Sequence, residues 1–294
     1  MFIFWGFPTD GTDSCVSNSS SSFDACVSTC NTSDTCLLAY GNDSSCMLCD
    51  LFVVTSIAQS NCSIGVKTAI KVDVPTDGCP ADMETEGYTG SNVNNNTYHL
   101  TYSGGVWTIV YDALSCLDST WTKFYRPLGQ WCMKVLGGTT PLTKDTAVQS
   151  CNATGRAILS GLQSTEEVSM ITANSKLITG NLTNYLYTGT WMDGVRLGAC
   201  NLDNAESTTA CAGLKAFAMV DPFVSSYTAY TWFSGMPSSA VDRGTRPNCL
   251  AVLVSQSYST YQGTTYNNVC ALNGCNSNSP TICMTTYVCG IAAS

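Results

Sequence analysis

Apolar and aromatic residues fall in short runs separated by clusters of Gly, Asn, Ser and Pro, the punctuation of strands and turns. Met1 to Phe7 reads as an apolar strand. Cys36 to Tyr40, Leu51 to Val54 and Val66 to Val74 read as further strands. Ser22 is placed to cap a short helix carrying Cys26 and Cys30 one turn apart. Two cysteines on one helical face can both be tied to a strand behind it. Tyr98 to Tyr102 and Val106 to Tyr111 flank Ser103-Gly104-Gly105, which predicts a hairpin. His99 lies on one arm and reads as a strand side chain.

Helical spacing appears twice in the second half. Thr143 or Asp145 starts one helix through Val148 to Cys151. Ser164-Thr165-Glu166-Glu167 is a capping box before Val168, Met170 and Ile171. Short aromatic strands follow at Tyr185 to Trp191, Ala216 to Val220, Cys249 to Ser255 and Thr285 to Cys289. The loops between them are long and polar, which marks them as surfaces for function or assembly. The pattern is α+β.

Cysteine placement divides the chain. Eight lie early, at Cys15, Cys26, Cys30, Cys36, Cys46, Cys49, Cys62 and Cys79. Ten lie late, at Cys116, Cys132, Cys151, Cys200, Cys211, Cys249, Cys270, Cys275, Cys283 and Cys289. Both counts are even, so each part can close its own bridges. Residues 80–97 are acidic and then Gly- and Asn-rich, which reads as a linker. The expected organisation is a first module over 1–79, a linker and hairpin over 80–111, and a second domain over 112–294.

Eighteen cysteines with a single histidine favour disulfides over zinc, because Cys46-x-x-Cys49 has no second pair to complete a metal site. Sequons at Asn18, Asn31, Asn42, Asn61, Asn95, Asn152 and Asn181 are candidate glycan acceptors. Both features predict a secreted, extracellular glycoprotein. Met1 to Trp5 is too short for the apolar core of an export leader, so residue 1 reads as a processed N-terminus. No run of 18 apolar residues occurs, so no segment is expected to span a bilayer. A net charge of −9, with no basic block, argues against nucleic acid as a partner.

The Phe-Trp-Gly-x-Pro opening, Cys26-x3-Cys30-x5-Cys36, the Leu-Ala-Tyr that follows and Val66 to Lys71 resemble the PAN-like (CW) module of nematode secreted proteins. That resemblance implies a small, disulfide-rich helix-on-sheet module, also called apple-like, that binds proteins or carbohydrates. From about residue 112, an ordered set of signals resembles the C-type lectin-like domain. It comprises Trp131-Cys132, Cys151 at a helix end, Leu159 to Glu167, Trp191 to Arg196, then Trp232, Gly235 and Pro237 before Cys249, and finally Val269-Cys270 and Tyr287-Val288-Cys289. The resemblance implies the bridges Cys151–Cys289 and Cys249–Cys270, and the hairpin bridge Cys116–Cys132 of the long form. Cys200–Cys211 and Cys275–Cys283 are then left as local pairs.

Sugar-binding members of that family hold calcium with carboxylates in the long loop. Here the corresponding triplets are Met236-Pro237-Ser238 and Tyr266-Asn267-Asn268, with Asp242 the one acid near the loop. A hard divalent cation wants six to eight oxygens, several of them carboxylate. No calcium, no other cofactor and no metal ligand is therefore expected, and the resemblance implies a cis bond before Pro237. The candidate ligand contacts are Tyr227, Tyr230 and Tyr261 as stacking rings, with Pro237, Ser238, Asp242, Asn267 and Asn268 around them. Trp191 and Trp232 read as core.

No enzyme is expected. No Gly-x-Ser-x-Gly or His-Glu-x-x-His motif occurs, and Glu166 and Glu167 read as helix-cap charges. The expected function is recognition of glycans or extracellular proteins without calcium, of the kind that the resemblance links to innate defence. The alternative is a structural protein that self-assembles into an extracellular homo-polymer or filament.

Overall fold

A computed structural model describes residues 1–20, 22–73, 87–91, 96–180, 182, 185–241, 244–255, 260–272, 275–276 and 281–294. Its first unit comprises Met1–Leu114 with Tyr125–Gln130, and its second Ser115–Phe124 with Trp131–Ser294.

In the first unit the apolar opening forms β1 (Phe2–Pro8), followed by β2 (Val16–Asn18), α1 (Phe23–Thr32), β3 (Cys36–Gly41), β4 (Cys46–Asp50), β5 (Ser56–Gln59) and β6 (Lys67–Ile70). The unit continues with β7 (Tyr88–Ser91), β8 (Thr97–Ser103) and β9 (Val106–Tyr111). These strands form one sheet in the order β2-β4-β3-β6-β1-β5-β9-β8-β7. The hydroxyl of Ser22 caps α1 by accepting the Ala25 N–H at 3.2 Å. The helix turns Cys26 and Cys30, both fully buried, onto the sheet. Cys26 bridges to Cys46 on β4, Cys30 to Cys36 on β3, and Cys15 to Cys49.

The hairpin expected to stand in a linker belongs to this sheet. β9 pairs antiparallel with β5, Ile57 facing Trp107. One face of the hairpin carries Tyr98, Leu100, Trp107 and Ile109, all buried. Such a face needs a partner, and the edge of β5 with the rings of Phe2 and Phe4 supplies it; their centroids lie 5.3 and 5.6 Å from Trp107. The first unit therefore runs past residue 79 to Leu114. His99 is an exposed side chain on β8, its Nε2 3.1 Å from an Asp112 carboxylate oxygen.

The second region contains β10 (Thr122–Arg126), β11 (Gly129–Gly137), α2 (Lys144–Ala153), β12 (Ile158–Leu159), α3 (Thr165–Thr179) and β13 (Tyr187–Arg196). After these come β14 (Phe217–Ala218), β15 (Cys249–Val254), β16 (Thr265–Asn268), β17 (Cys275–Asn276) and β18 (Ile282–Ala292). The sheet order is β10-β11-β18-β13-β15-β16. The last strand lies inside the sheet, antiparallel to β11 and parallel to β13. Thr143 caps α2, and Cys151 on its last turns bridges to Cys289 on β18. Ser164 caps α3, where the Glu167 carboxylate accepts the Gln163 N–H at 2.7 Å. The other bridges are Cys116–Cys132, Cys200–Cys211, Cys249–Cys270 and Cys275–Cys283.

Behind α3 the core is not purely apolar. The Ser175 and Thr190 hydroxyls pair at 2.7 Å, and Thr190 pairs with Thr286 at 2.8 Å. This buried hydroxyl chain links the helix to β13 and β18, each group satisfied by the next. No helix among the described residues is long and apolar enough to cross a membrane.

Candidate functional site

β13, β15 and β16 deliver the candidate residues to one edge of the second sheet. β13 ends on Arg196, and the chain then makes its long excursion to β15. Short 3-10 turns at Gly198–Cys200, Ala205–Ser207 and Gly213–Ala216 and the Cys200–Cys211 bridge hold the first part. The second part passes through Trp232 and the cis Met236–Pro237 bond.

Asn267, on edge strand β16, closes this loop. It is buried, and its carboxamide oxygen accepts the Ser238 N–H at 3.0 Å. Its Nδ2 donates to the carbonyls of Ser238 and Pro247, both at 2.7 Å. Arg196 reaches the same carbonyl of Ser238 at 2.7 Å and that of Cys200 at 3.4 Å, with its guanidinium over the Phe217 ring. Burial lowers the Arg196 pKa. The Ser239 hydroxyl donates to Glu206, and Arg246 bonds the Ser239 carbonyl and, at 2.7 Å, Asp203. Burial pushes the Glu206 pKa up, but the Ser239 hydrogen bonds and the charge of Arg196 outweigh it and hold the carboxyl below its usual range.

The remaining loop oxygens are also engaged. Ser238 Oγ accepts the Ala240 N–H at 3.2 Å, and Asn268 Oδ1 accepts the Val269 N–H at 2.8 Å. Asn268 Nδ2 is buried with no partner among the described residues. Asp242 lies outside the described residues. No group of three or more His, Cys, Asp or Glu placed to hold a metal occurs among the described residues.

The three tyrosines separate. Tyr230 is buried, and its hydroxyl accepts the Leu162 N–H at 2.9 Å, so it is a core residue and not a stacking ring. Its hydroxyl saturates the backbone before α3, a role that spacing alone does not reveal. Tyr227 is half exposed with its ring 5.8 Å from Tyr230, which places it beside that segment. Tyr261 is half-buried beside the loop, its ring 4.5 Å from Phe233, whose ring is 5.8 Å from Tyr266. Trp191 is fully buried, and Trp232 is half-buried near Phe217. Pro237 is buried in the turn. The sequence reading missed Arg196, Glu206, Arg246, Phe233 and Tyr266. The signal for Phe233 was its place beside Trp232; the ionic residues carry no local signal.

Among the sequons, Asn31, Asn42, Asn61 and Asn152 are exposed. Asn18 is half-buried with its Nδ2 buried. Asn95 and Asn181 lie outside the described residues.

A disulfide-rich α+β chain with this sheet order and this long loop is a C-type lectin-like protein behind a PAN-like module. Residues 122–292 match the model of C-type lectin domain-containing protein 141/158, and the chain belongs to that family. Residues 1–72 match a PAN-like domain. Similar solved structures include a calcium-independent type II antifreeze protein at 18% identity, covering 62% of this chain and 98% of that one, with TM-score 0.36. The mouse scavenger receptor C-type lectin carbohydrate-recognition domain is 14% identical, covering 61% and 100%, with TM-score 0.36. A calcium-independent C-type lectin from Saxidomus purpuratus is 16% identical, covering 59% and 92%, with TM-score 0.33. No curated protein matches.

Proposed function

We propose that the protein is an extracellular recognition protein whose second unit binds glycans without calcium. The observation that carries this is the half-buried ring set Tyr261, Phe233 and Tyr266 beside a loop closed by the protein's own hydrogen bonds. A calcium ion needs free, mostly anionic oxygens. The described oxygens of Ser238, Asn267 and Asn268 already accept N–H groups, and the Arg196 guanidinium bonds the same turn. With protein cations and amides holding the loop, ring stacking on the apolar face of a sugar is the chemistry left at this edge.

A glycan array run in chelator tests the proposal. Binding is expected to persist in chelator and to fall with Tyr261→Ala, while millimolar calcium leaves the melting temperature unchanged. Binding that disappears on chelation would overturn it.

A further inference from the structure

A groove of about 270 Å³ lies between α3 and β11 in the second unit, and no described residue of the long loop lines it. Met133 and Val135 on β11, both buried, share one face of that strand and form one wall. The other wall is Met170, Asn174, Leu177 and Ile178, which recur at the spacing of one helix face. This stripe runs beside Ile171, Ser175 and Thr179, which α3 buries. Met170 and Ile178 are half-buried and Leu177 is 82% exposed, so the stripe is open to water. Asn174 turns its Nδ2 back to the Met170 carbonyl at 2.9 Å, which leaves this wall mostly hydrocarbon and thioether. Thr120, Thr122 and Lys134 complete the lining, and Lys134 is the one charged side chain among the described residues there.

We infer that the groove binds a single-chain amphiphile with a monoanionic head, a medium-chain fatty carboxylate. Met170 to Ile178 spans about 12 Å of helix at 1.5 Å per residue, which suits a medium-length alkyl chain laid along it. Such a chain covers Met170, Leu177 and Ile178, and the two methionine thioethers adapt to a flexible guest. A partner helix, about 10 Å across with its side chains, exceeds the space. The head is set by Lys134. Its Nζ donates to the Thr120 hydroxyl at 2.6 Å and lies 5.9 Å from the Trp121 ring centroid. Asp118 accepts the Thr120 N–H at 2.7 Å and also its hydroxyl, which leaves the Thr120 oxygen to accept from the ammonium. No described carboxylate pairs with Lys134 directly. An ammonium has three N–H donors, so two remain for a carboxylate head in a charge-assisted pair. The groove shares no residue with the glycan reading of the long-loop edge and is independent of it.

Titration of the full chain with sodium decanoate below its micelle concentration, followed by calorimetry and by methionine-methyl NMR, tests the inference. Saturable binding is expected, with the Met133 and Met170 methyl signals moving and decanol binding about tenfold more weakly. Lys134→Gln is expected to bring decanoate down to the level of decanol. Leu177→Gln is expected to weaken decanoate about tenfold, and Tyr261→Ala to leave it unchanged. Leu177 is exposed and glutamine suits a helix, so this substitution spares the fold, and an unchanged melting temperature checks that. Absence of saturable decanoate binding would overturn the inference. So would decanol or decyltrimethylammonium binding as tightly as decanoate, or binding insensitive to either substitution.

Discussion

Asn267 holds the long loop as a cation would, with one side chain meeting two carbonyls and one N–H. Removing it takes the partner from the Ser238 N–H and the Pro247 carbonyl, while the Ser238 carbonyl keeps Arg196; each group left unpaired costs about 1–3 kcal/mol, part of which water can recover. Asn267→Ala is expected to lower unfolding stability by about 3 kcal/mol, read by urea denaturation. Asn267 and Asn268 stood out in the sequence because of where they fall before Cys270. Arg196 did not stand out as the group that ties Ser238 to Cys200. A charged residue ending a strand looks like a surface residue until the fold brings two carbonyls and the Phe217 face around it. Tyr230 misled in the opposite sense, because its hydroxyl has a backbone partner 68 positions away.

Among the elements, the helix starts were readable because caps are local: Ser22, Thr143 and Ser164 each bond an N–H three residues on. The hydroxyl chain from Ser175 to Thr286 was not, since Ser and Thr on a helix read as its solvent side. Helix α2 also hides a charge. Lys144 is buried and donates to the Gly194 carbonyl at 2.6 Å. Burial lowers its pKa from 10.5 to about 8, with Asp193 and Asp145 opposing the shift. The folded pKa lies below the unfolded one, so between these values the unfolded chain holds more protons and stability rises with pH. Over the whole window the rise amounts to about 3 kcal/mol. Denaturation measured from pH 8 to 10 is expected to show this slope, and Lys144→Met to remove it.

On the scale of the whole molecule, the cysteine split was readable as a two-part chain, and every bridge among the described residues stays within one unit. The boundary was not readable, because strand β9 finds its partner β5 far back in the sequence while the turn signals between them look like a linker. Solvent access also ranks the sequons. Peptide mapping of protein from a eukaryotic secretory host is expected to find glycans at Asn31, Asn42 and Asn152, and none at Asn18, whose amide nitrogen is enclosed. The interior place of β18 has a further consequence, for biosynthesis. The strand of this sheet that is made after the others fills the slot between β11 and β13, so the ribosome must deliver it before that sheet can close. A nascent chain halted before Ile282 leaves two raw strand edges open to other chains, which makes this half dependent on escort until that strand emerges.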